Sequence, residues 1–366
     1  MLSPISVVVG TRPEAIKLAP VVAALRNRRH PLQLVFTGQH PLRDGDFGLG
    51  GAACHLGMPS FGHPRRYADA LALRLAPIVR AASLVIVQFD TSSALAGALA
   101  AEAAGVPLAH VEAGLRSFDR TMPWPEEEFR IEIDERADLL FAPTQTSATN
   151  LRRERVAGTI HVTGNTAIDA LLQRVADLPP ASPPALPYIL VTCHRRESWG
   201  GAQAAIALAL AALARRGDVE VRLVLHPNPR VRSTMIDLLG KEANLRLLDP
   251  LDHAAMLQQM RNARLLLSDS GGIQEEAPAL GIPLLVLRDR TERPEAIATG
   301  NMLLVGTDVA RILGAATRVL SDPAVHETMS RPSFPYGDGR SGERIADLLV
   351  TWLAARDSKA QERRRA

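Results

Sequence analysis

Residues His110–Asp138 read HVEAGLRSFDRTMPWPEEEFRIEIDERAD, and they concentrate acid groups where a folded chain rarely puts them. Glu112 follows directly on the largely apolar run from Val106 to Val111, which reads as the end of a buried strand. A carboxylate there enters the crevice at the carboxyl end of a sheet, where open α/β folds bind ligands. Gly114 and Arg116 come next, then a stiff elbow of Pro123, Trp124 and Pro125, then Glu126, Glu127 and Glu128 opening a predicted helix. Glu127 and Glu128 read as helix-dipole compensation in a first turn. Glu126 stands directly after a proline-fixed backbone, so its direction is set by geometry that a solvated face does not require.

Working outward, the same strand-then-helix rhythm recurs on both sides. Ile5 to Val9 is a short β-rich run closed by Gly10, and from Pro13 apolar positions fall at helical spacing, with Pro20 predicting a kink. Such a turn offers a helix N-terminus to an anion, and Arg12 adds a charge beside it. Lys17 joins Arg12 as a candidate contact to substrate, although a lysine on a helix is ordinarily solvated. Leu32 to Thr37 reads as a strand with Gln39 and His40 at its mouth, and the glycine-rich stretch DGDFGLGGAACHLG from Asp44 as a loop. After a helix over Tyr67 to Arg80, the apolar strand Leu84 to Gln88 delivers Asp90. Thr91, Ser92 and Ser93 cap the next helix themselves, which frees Asp90 for the crevice.

Strands at Leu139–Ala142 and Ile160–Thr163 and a helix at Thr166–Leu178 continue the pattern, until LPPASPPALP from Leu178 to Pro187 interrupts it as a stiff proline-rich linker. The alternation then resumes at Tyr188–Cys193. It implies mostly parallel sheets covered on both faces, hence two Rossmann-like, doubly wound domains with a cleft between them. The expected limits are 1–178 for the first domain, 179–340 for the second, and 341–366 for a last helix and basic tail. In the second domain SDSGGIQEEAPALG is the strongest local signal. Ser270, Gly271 and Gly272 leave backbone amides unobstructed at a helix start, which suits a diphosphate. Glu276, one turn on, suits the two hydroxyls of a ribose, while Glu275 reads as solvated.

A chain of 366 residues exceeds one typical core, and 46% hydrophobic residues at net charge +3 exclude a nucleic-acid surface. Cys54 and Cys193 are too few for a disulfide framework, no apolar run reaches spanning length, and the start MLSPISVVVG lacks a charged leader. These features point to a cytoplasmic protein with no membrane partner. The histidines are scattered and neither cysteine has a partner at zinc spacing, so neither a metal nor another cofactor is expected.

Seven blocks carry a resemblance over essentially the whole chain: GTRPEAIKLAP from Gly10, TGQH from Thr37, HVEAGLR with the PEE at Pro125, VTGN from Val162, HRRES from His194, SDSGGIQEEAPALG from Ser268 and TERPEA from Thr291. The chain resembles the non-hydrolysing UDP-N-acetylglucosamine 2-epimerases. The resemblance implies the GT-B arrangement of paired Rossmann-like domains, a last helix crossing back to the first domain, a homodimer, and inversion of carbon 2 in a UDP-N-acetylhexosamine. That proton is not next to a carbonyl, so the reaction goes by loss of UDP and of the proton to a glycal, followed by re-addition. Asp90, Glu112 and Glu126 would be the acid and base groups on the two faces of the ring, with His194 supplying a proton or positive field to the departing phosphate. Arg12, Lys17, Arg130, Ser270, Gly271, Gly272, Glu276 and Arg293 would hold the UDP-sugar.

Three departures from the family pattern stand out. Phe89 replaces the glycine before Asp90, Phe129 the asparagine after the glutamates, and Cys193 the glycine before His194. By strand alternation Phe89 points away from the face carrying Asp90. Leu42 stands where members activated by a second UDP-sugar would carry a polar side chain. The alternative readings are a hydrolysing 2-epimerase that frees the sugar, a GT-B glycosyltransferase, and a non-catalytic UDP-sugar binder.

Overall fold

The computed structural model describes residues 3–51, 53–121, 123–180, 184–193 and 200–365. Its first half runs β1 (Ile5–Val9), α1 (Arg12–Asn27), β2 (Leu32–Phe36), β3 (Ala53–His55), α2 (Pro64–Val79), β4 (Leu84–Gln88), α3 (Ser92–Ala104), β5 (Leu108–Val111), α4 (Glu126–Arg136), β6 (Leu139–Ala142), α5 (Gln145–Glu154), β7 (Thr159–Val162) and α6 (Thr166–Ala176). There follow β8 (Tyr188–Thr192), α7 (Gly201–Ala214), β9 (Glu220–Val224), α8 (Pro229–Leu239), β10 (Leu245–Leu248), α9 (His253–Asn262), β11 (Leu265–Ser268), α10 (Gly271–Ala279) and β12 (Leu284–Val286). The chain ends with α11 (Glu295–Ala298), β13 (Met302–Leu304), α12 (Val309–Ser321), α13 (Pro323–Met329) and α14 (Ser341–Arg365).

Residues Met1–Ala170 and Tyr336–Ala366 form one compact unit, and Leu171–Pro335 form another. The first unit holds an all-parallel sheet of order β3-β2-β1-β4-β5-β6-β7, the second one of order β10-β9-β8-β11-β12-β13. Both orders reverse direction at their centre, between β1 and β4 and between β8 and β11. At such a reversal the helices leave toward opposite faces and open a crevice above the strand ends.

Alternation explains why the central strands read as continuous apolar runs. On β1, Val8 enters the core beneath α2 and α3, while Ile5, Val7 and Val9 enter the core beneath α1 and α14, and all four are fully buried. α1 starts with a capping box in which Thr11 accepts from the Glu14 amide and Glu14 answers the Thr11 amide. Pro20 lies within it, and α14 begins against that turn, with Ile345, Ala346, Leu349 and Leu353 in the same core as Val21, Val22 and Leu25. Arg28 holds α14 further through Glu343 and Asp347, each at 2.7 Å.

The stretch read as a glycine-rich loop contains β3, which pairs with β2 at the sheet edge. Three residues are too short to show periodicity. α5 and α8 are likewise absent from the sequence reading: each follows a polar cap, Thr144 and Asn228, that reads as loop until the helix behind it is seen.

Candidate active site

Strands β4 and β5 deliver two carboxylates at the switch point of the first unit. Asp90 stands just past β4 at 5% exposure and Glu112 just past β5 at 3%. Thr91 caps α3 by accepting from the Ala94 amide, so Asp90 is spared that duty. Lys17, in the second turn of α1, reaches Glu112 with Nζ 2.8 and 2.7 Å from its two oxygens, and the Gln88 amide also donates to Glu112 Oε2. Lys17, expected as a contact to substrate, is here the ion-pair partner of Glu112. Arg130 on α4 donates to Asp90 Oδ2 from Nε at 3.1 Å and from Nη2. Burial pushes the Asp90 carboxyl up to about 7; Arg130 pulls against this, while the charges of Glu126 and Glu112 push it further.

Glu126 opens α4 directly after Pro125 and is half-buried. Its Oε2 is enclosed and has no hydrogen-bond partner among the described residues. A buried carboxylate oxygen left unbonded is costly, so such an atom calls for an explanation. Glu127, read as dipole compensation, is instead buried. It accepts from the amides of Ser117 and Phe118 at 3.0 Å and lies 3.2 Å from Arg130 Nη1. It pins the loop that leads from β5 to α4 and orients the arginine that serves Asp90. Glu128 is exposed, in keeping with a solvated first turn.

Phe89 corrects the alternation argument. Its backbone is left-handed, φ +57°, so it leaves the strand register. Its ring lies beside the cations of the site, with Arg130 Cζ 4.8 Å and Lys17 Nζ 5.5 Å from the ring centroid. A non-glycine residue in this region costs about 1–2 kcal/mol, and cation–π contacts offset part of it. Glu112 is left-handed as well, at φ +69°. Backbone outliers of this kind cluster at functional sites. Phe129, by contrast, is a core residue at 2% exposure, packed with Ile133 and Ala137.

Behind the carboxylates lies a chain of charges not evident from the sequence, buried from His110 to Arg116 and ending at the exposed Glu154. His110 bonds Asp134 at 2.6 Å; Asp134 accepts from Arg116 at 2.7 Å; Arg116 also donates to Glu154 at 2.7 Å. Burial alone would raise the Asp134 pKa, but His110 and Arg116 outweigh it and hold it below the usual carboxylate range. Gly114, at φ +82°, lies so close to α5 that a Cβ would stand 2.4 Å from the Ser147 carbonyl oxygen. Glu14 is another buried acid, accepting from the Gly10 amide at 3.1 Å and the Thr91 hydroxyl at 2.8 Å, with burial lifting it to about 7 against those bonds. Arg12 is exposed at the first turn of α1, its amide 3.4 Å from His40 Nδ1.

In the second unit α10 starts at Gly271, with Ser270 as N-cap making no side-chain capping bond. The Ser270 amide donates to Ser268 Oγ at 3.0 Å, and Ser268 pairs with Thr192 at the end of β8. Arg293 lies against this helix start: a Cβ on Gly271 would come 2.9 Å from its Nη1, so glycine admits the guanidinium there. A Cβ on Gly272 would meet only Ser270 Oγ, at 3.9 Å. Glu275, read as solvated, is 1% exposed and accepts from Arg293 Nε at 2.7 Å. Glu292 bonds the same guanidinium and also Arg288. Glu276 is half-buried, with His253 Nε2 at 3.2 Å. His194 with Arg195 and Arg196 lies outside the described residues. Among the described residues no group of three acids, histidines or cysteines is placed to hold a metal, and no helix is long and apolar enough to cross a membrane.

Comparison with known proteins agrees on one family. The family model for UDP-N-acetylglucosamine 2-epimerase matches residues 23–350. The UDP-N-acetylglucosamine 2-epimerase of Escherichia coli strain K12 is 41% identical over 93% of this chain and 97% of its own length. Among solved structures, the Neisseria meningitidis UDP-GlcNAc 2-epimerase bound to UDP-GlcNAc has a TM-score of 0.88 at 34% identity, covering 95% of this chain and 100% of that one. The Methanocaldococcus jannaschii UDP-GlcNAc 2-epimerase in complex with UDP-GlcNAc and UDP has a TM-score of 0.83 at 32% identity, covering 95% and 99%.

Proposed function

The chain belongs to the UDP-N-acetylglucosamine 2-epimerase family, and from that premise we propose that it interconverts UDP-N-acetylglucosamine and UDP-N-acetylmannosamine by elimination and re-addition of UDP. The observation that carries the reading is the set of three acids at one strand-end crevice: Asp90 lifted to about 7, Glu112 ion-paired with Lys17, and Glu126 with an enclosed oxygen that lacks a partner among the described residues.

Elimination breaks the bond between carbon 1 and the phosphate oxygen, UDP leaving with the electron pair, while a carboxylate takes the proton from carbon 2. The carbon–hydrogen electrons become the second bond between carbons 1 and 2 of the glycal. In the return step a carboxyl group protonates carbon 2 on the opposite face, and the UDP oxygen adds to carbon 1. No atoms are gained or lost, so the reaction is an isomerisation and calls for no redox partner. Two proton carriers are required, and efficiency is greatest when their pKa values lie near the working pH. Asp90 meets that condition. Glu126 is the second carrier, its Oε2 having no hydrogen-bond partner among the described residues. Glu112, fixed by Lys17 and Gln88, supplies negative charge that stabilises the electron-poor carbon 1.

The amides of Gly271 and Gly272 at the start of α10 suit the diphosphate, the Ser270 amide being bonded to Ser268 Oγ, and Arg293 lies beside them. Glu276 takes the ribose hydroxyls. Arg12, at the first turn of α1, contributes a further cation for the phosphates, and His194 in HRRES serves the leaving group as the family resemblance implies. A homodimer in the cytoplasm is part of the same reading.

The test is incubation with UDP-N-acetylglucosamine in deuterated water, read by NMR. Epimerisation puts deuterium at carbon 2 of a sugar still joined to UDP. Release of free N-acetylmannosamine would establish the hydrolysing variant instead, and recovery of unlabelled substrate would refute both.

A further inference from the structure

Two left-handed turns deliver the acids of the first unit. One is centred on Phe89, directly before Asp90; the other runs from Glu112 to Gly114. Neither Phe89 nor Glu112 is glycine, so each conformation persists only where its surroundings hold it. A single buried side-chain pair reaches both. His110 Nε2 donates to the Phe89 carbonyl at 2.8 Å, while its Nδ1 lies 2.6 Å from Asp134 Oδ1. The other Asp134 oxygen accepts the Gly114 amide at 3.2 Å. Both His110 and Asp134 are fully buried. Each turn is thus fastened to the same imidazole–carboxylate unit, one from its histidine end and one from its aspartate end.

We infer that His110 and Asp134 are positioning residues for the reaction, setting the placement of Asp90 and Glu112 relative to one another by clamping the Phe89 and Gly114 turns together. The sheet fixes this spacing only in part, the Phe89 amide donating to the Val111 carbonyl and the Glu112 amide to the Phe141 carbonyl, each at 3.0 Å. β4 and β5 are in register only as far as Gln88 and Val111, and both acids lie beyond that last pair. Arg116 and Glu154 extend the clamp by holding Asp134 from behind. Loosening the clamp leaves the nucleotide-binding elements of the second unit untouched while displacing the acids, and a misplacement of about 1 Å is worth about 100-fold in rate.

The inference rests on the epimerase reading, and its test separates the two. Wild type, His110→Leu, His110→Gln and Asp134→Asn are assayed for deuterium exchange at carbon 2 of UDP-N-acetylglucosamine, with folded fraction measured by circular dichroism and UDP affinity by calorimetry. The clamp predicts that His110→Leu lowers kcat about 10- to 100-fold with UDP affinity unchanged and KM within about threefold of wild type. His110→Gln, which keeps a donor for the Phe89 carbonyl, recovers much of the loss. The pH–rate limb belonging to Asp90, which faces Arg130 and Glu126 on α4 and Glu112 beyond β5, moves to lower pH as the carboxyl leaves its desolvated seat. A purely structural role predicts activity falling only with folded fraction and a limb that stays in place, and that result overturns the inference. Should His110→Leu fail to fold, wild-type kcat in Asp134→Asn, which removes the carboxylate that holds both His110 and the Gly114 amide, overturns it equally. An inactive wild type instead overturns the epimerase reading, and the inference with it.

Discussion

Replacing Lys17 by methionine should destabilise the first unit in a way that depends on pH. The substitution keeps the length of the side chain and removes its charge. It leaves Glu112, whose side chain is 1% exposed, without the ammonium 2.7 Å away. Breaking a buried pair by deleting one partner costs about 3–5 kcal/mol, because the remaining charge is desolvated and uncompensated. Gln88 still donates to Glu112 Oε2, and Lys17 itself is 12% exposed in its side chain, so the lower end of the range applies. At a urea dependence of about 3 kcal/mol per molar, about 3 kcal/mol is a midpoint shift of about 1 M. The sign with pH follows from linkage. In the variant the buried Glu112 binds its proton more tightly than the unfolded chain does, so stability is retained at low pH and lost as pH rises. The gap from wild type is therefore widest at pH 8 and narrows at pH 5.5. Urea titrations at both pH values, with Lys17→Met/Glu112→Gln closing a double-mutant cycle, measure it. A gap of the same size at both pH values, or a double variant no more stable than Lys17→Met, would refute the reasoning.

At Phe89 the left-handed backbone reverses the usual preference between small residues: Phe89→Gly should be about 1 kcal/mol more stable than Phe89→Ala, since both lose the ring but only glycine relieves the backbone. An alanine variant equal or superior in thermal denaturation would contradict the strain. Glu276→Ala should weaken UDP at least about tenfold by calorimetry, the loss of a charge-assisted pair of hydrogen bonds, and wild-type affinity would remove its role on the ribose. Asp90 holds its proton below about 7 in the folded state against an ordinary value of 3.8, so its contribution to stability is full below the unfolded value and is lost as pH rises through about 7. Asp90→Asn should flatten the fall in melting temperature between pH 5.5 and 8, and an unchanged slope would show that Asp90 is not the group responsible.

What the sequence displays well is whatever is local. Apolar runs followed by Asp90 and Glu112 mark strand ends, and SDSGG before an apolar run marks a helix start, so the parallel sheets and the acids at their mouths are legible from spacing alone. What it hides is pairing between distant segments. Lys17 lies 95 residues from Glu112, and Arg130 lies 40 from Asp90. A charged residue on a helix reads as solvated until the opposite wall of the crevice is known, which is why Glu127 reads as dipole compensation and Glu275 as solvated, and why Lys17 reads as a substrate contact and not as the partner of Glu112. The Phe89 turn was misread for a related reason: alternation holds only while the backbone stays extended, and no local pattern announces a left-handed aromatic. His110 is the one polar residue of the buried strand β5 and Asp134 one of many charged residues on α4, and only their shared geometry gives them a role.

The epimerisation proposed for this chain turns on the departure and return of UDP within one catalytic cycle. Positional isotope exchange tests this most directly, using UDP-N-acetylglucosamine labelled with heavy oxygen in the bridge between carbon 1 and the β-phosphate. If the bond breaks and the freed phosphate rotates before re-addition, the label spreads into the non-bridging positions of the β-phosphate, seen as shifted phosphorus NMR lines in recovered substrate and product. Label kept wholly in the bridge while carbon 2 is epimerised would contradict the elimination mechanism.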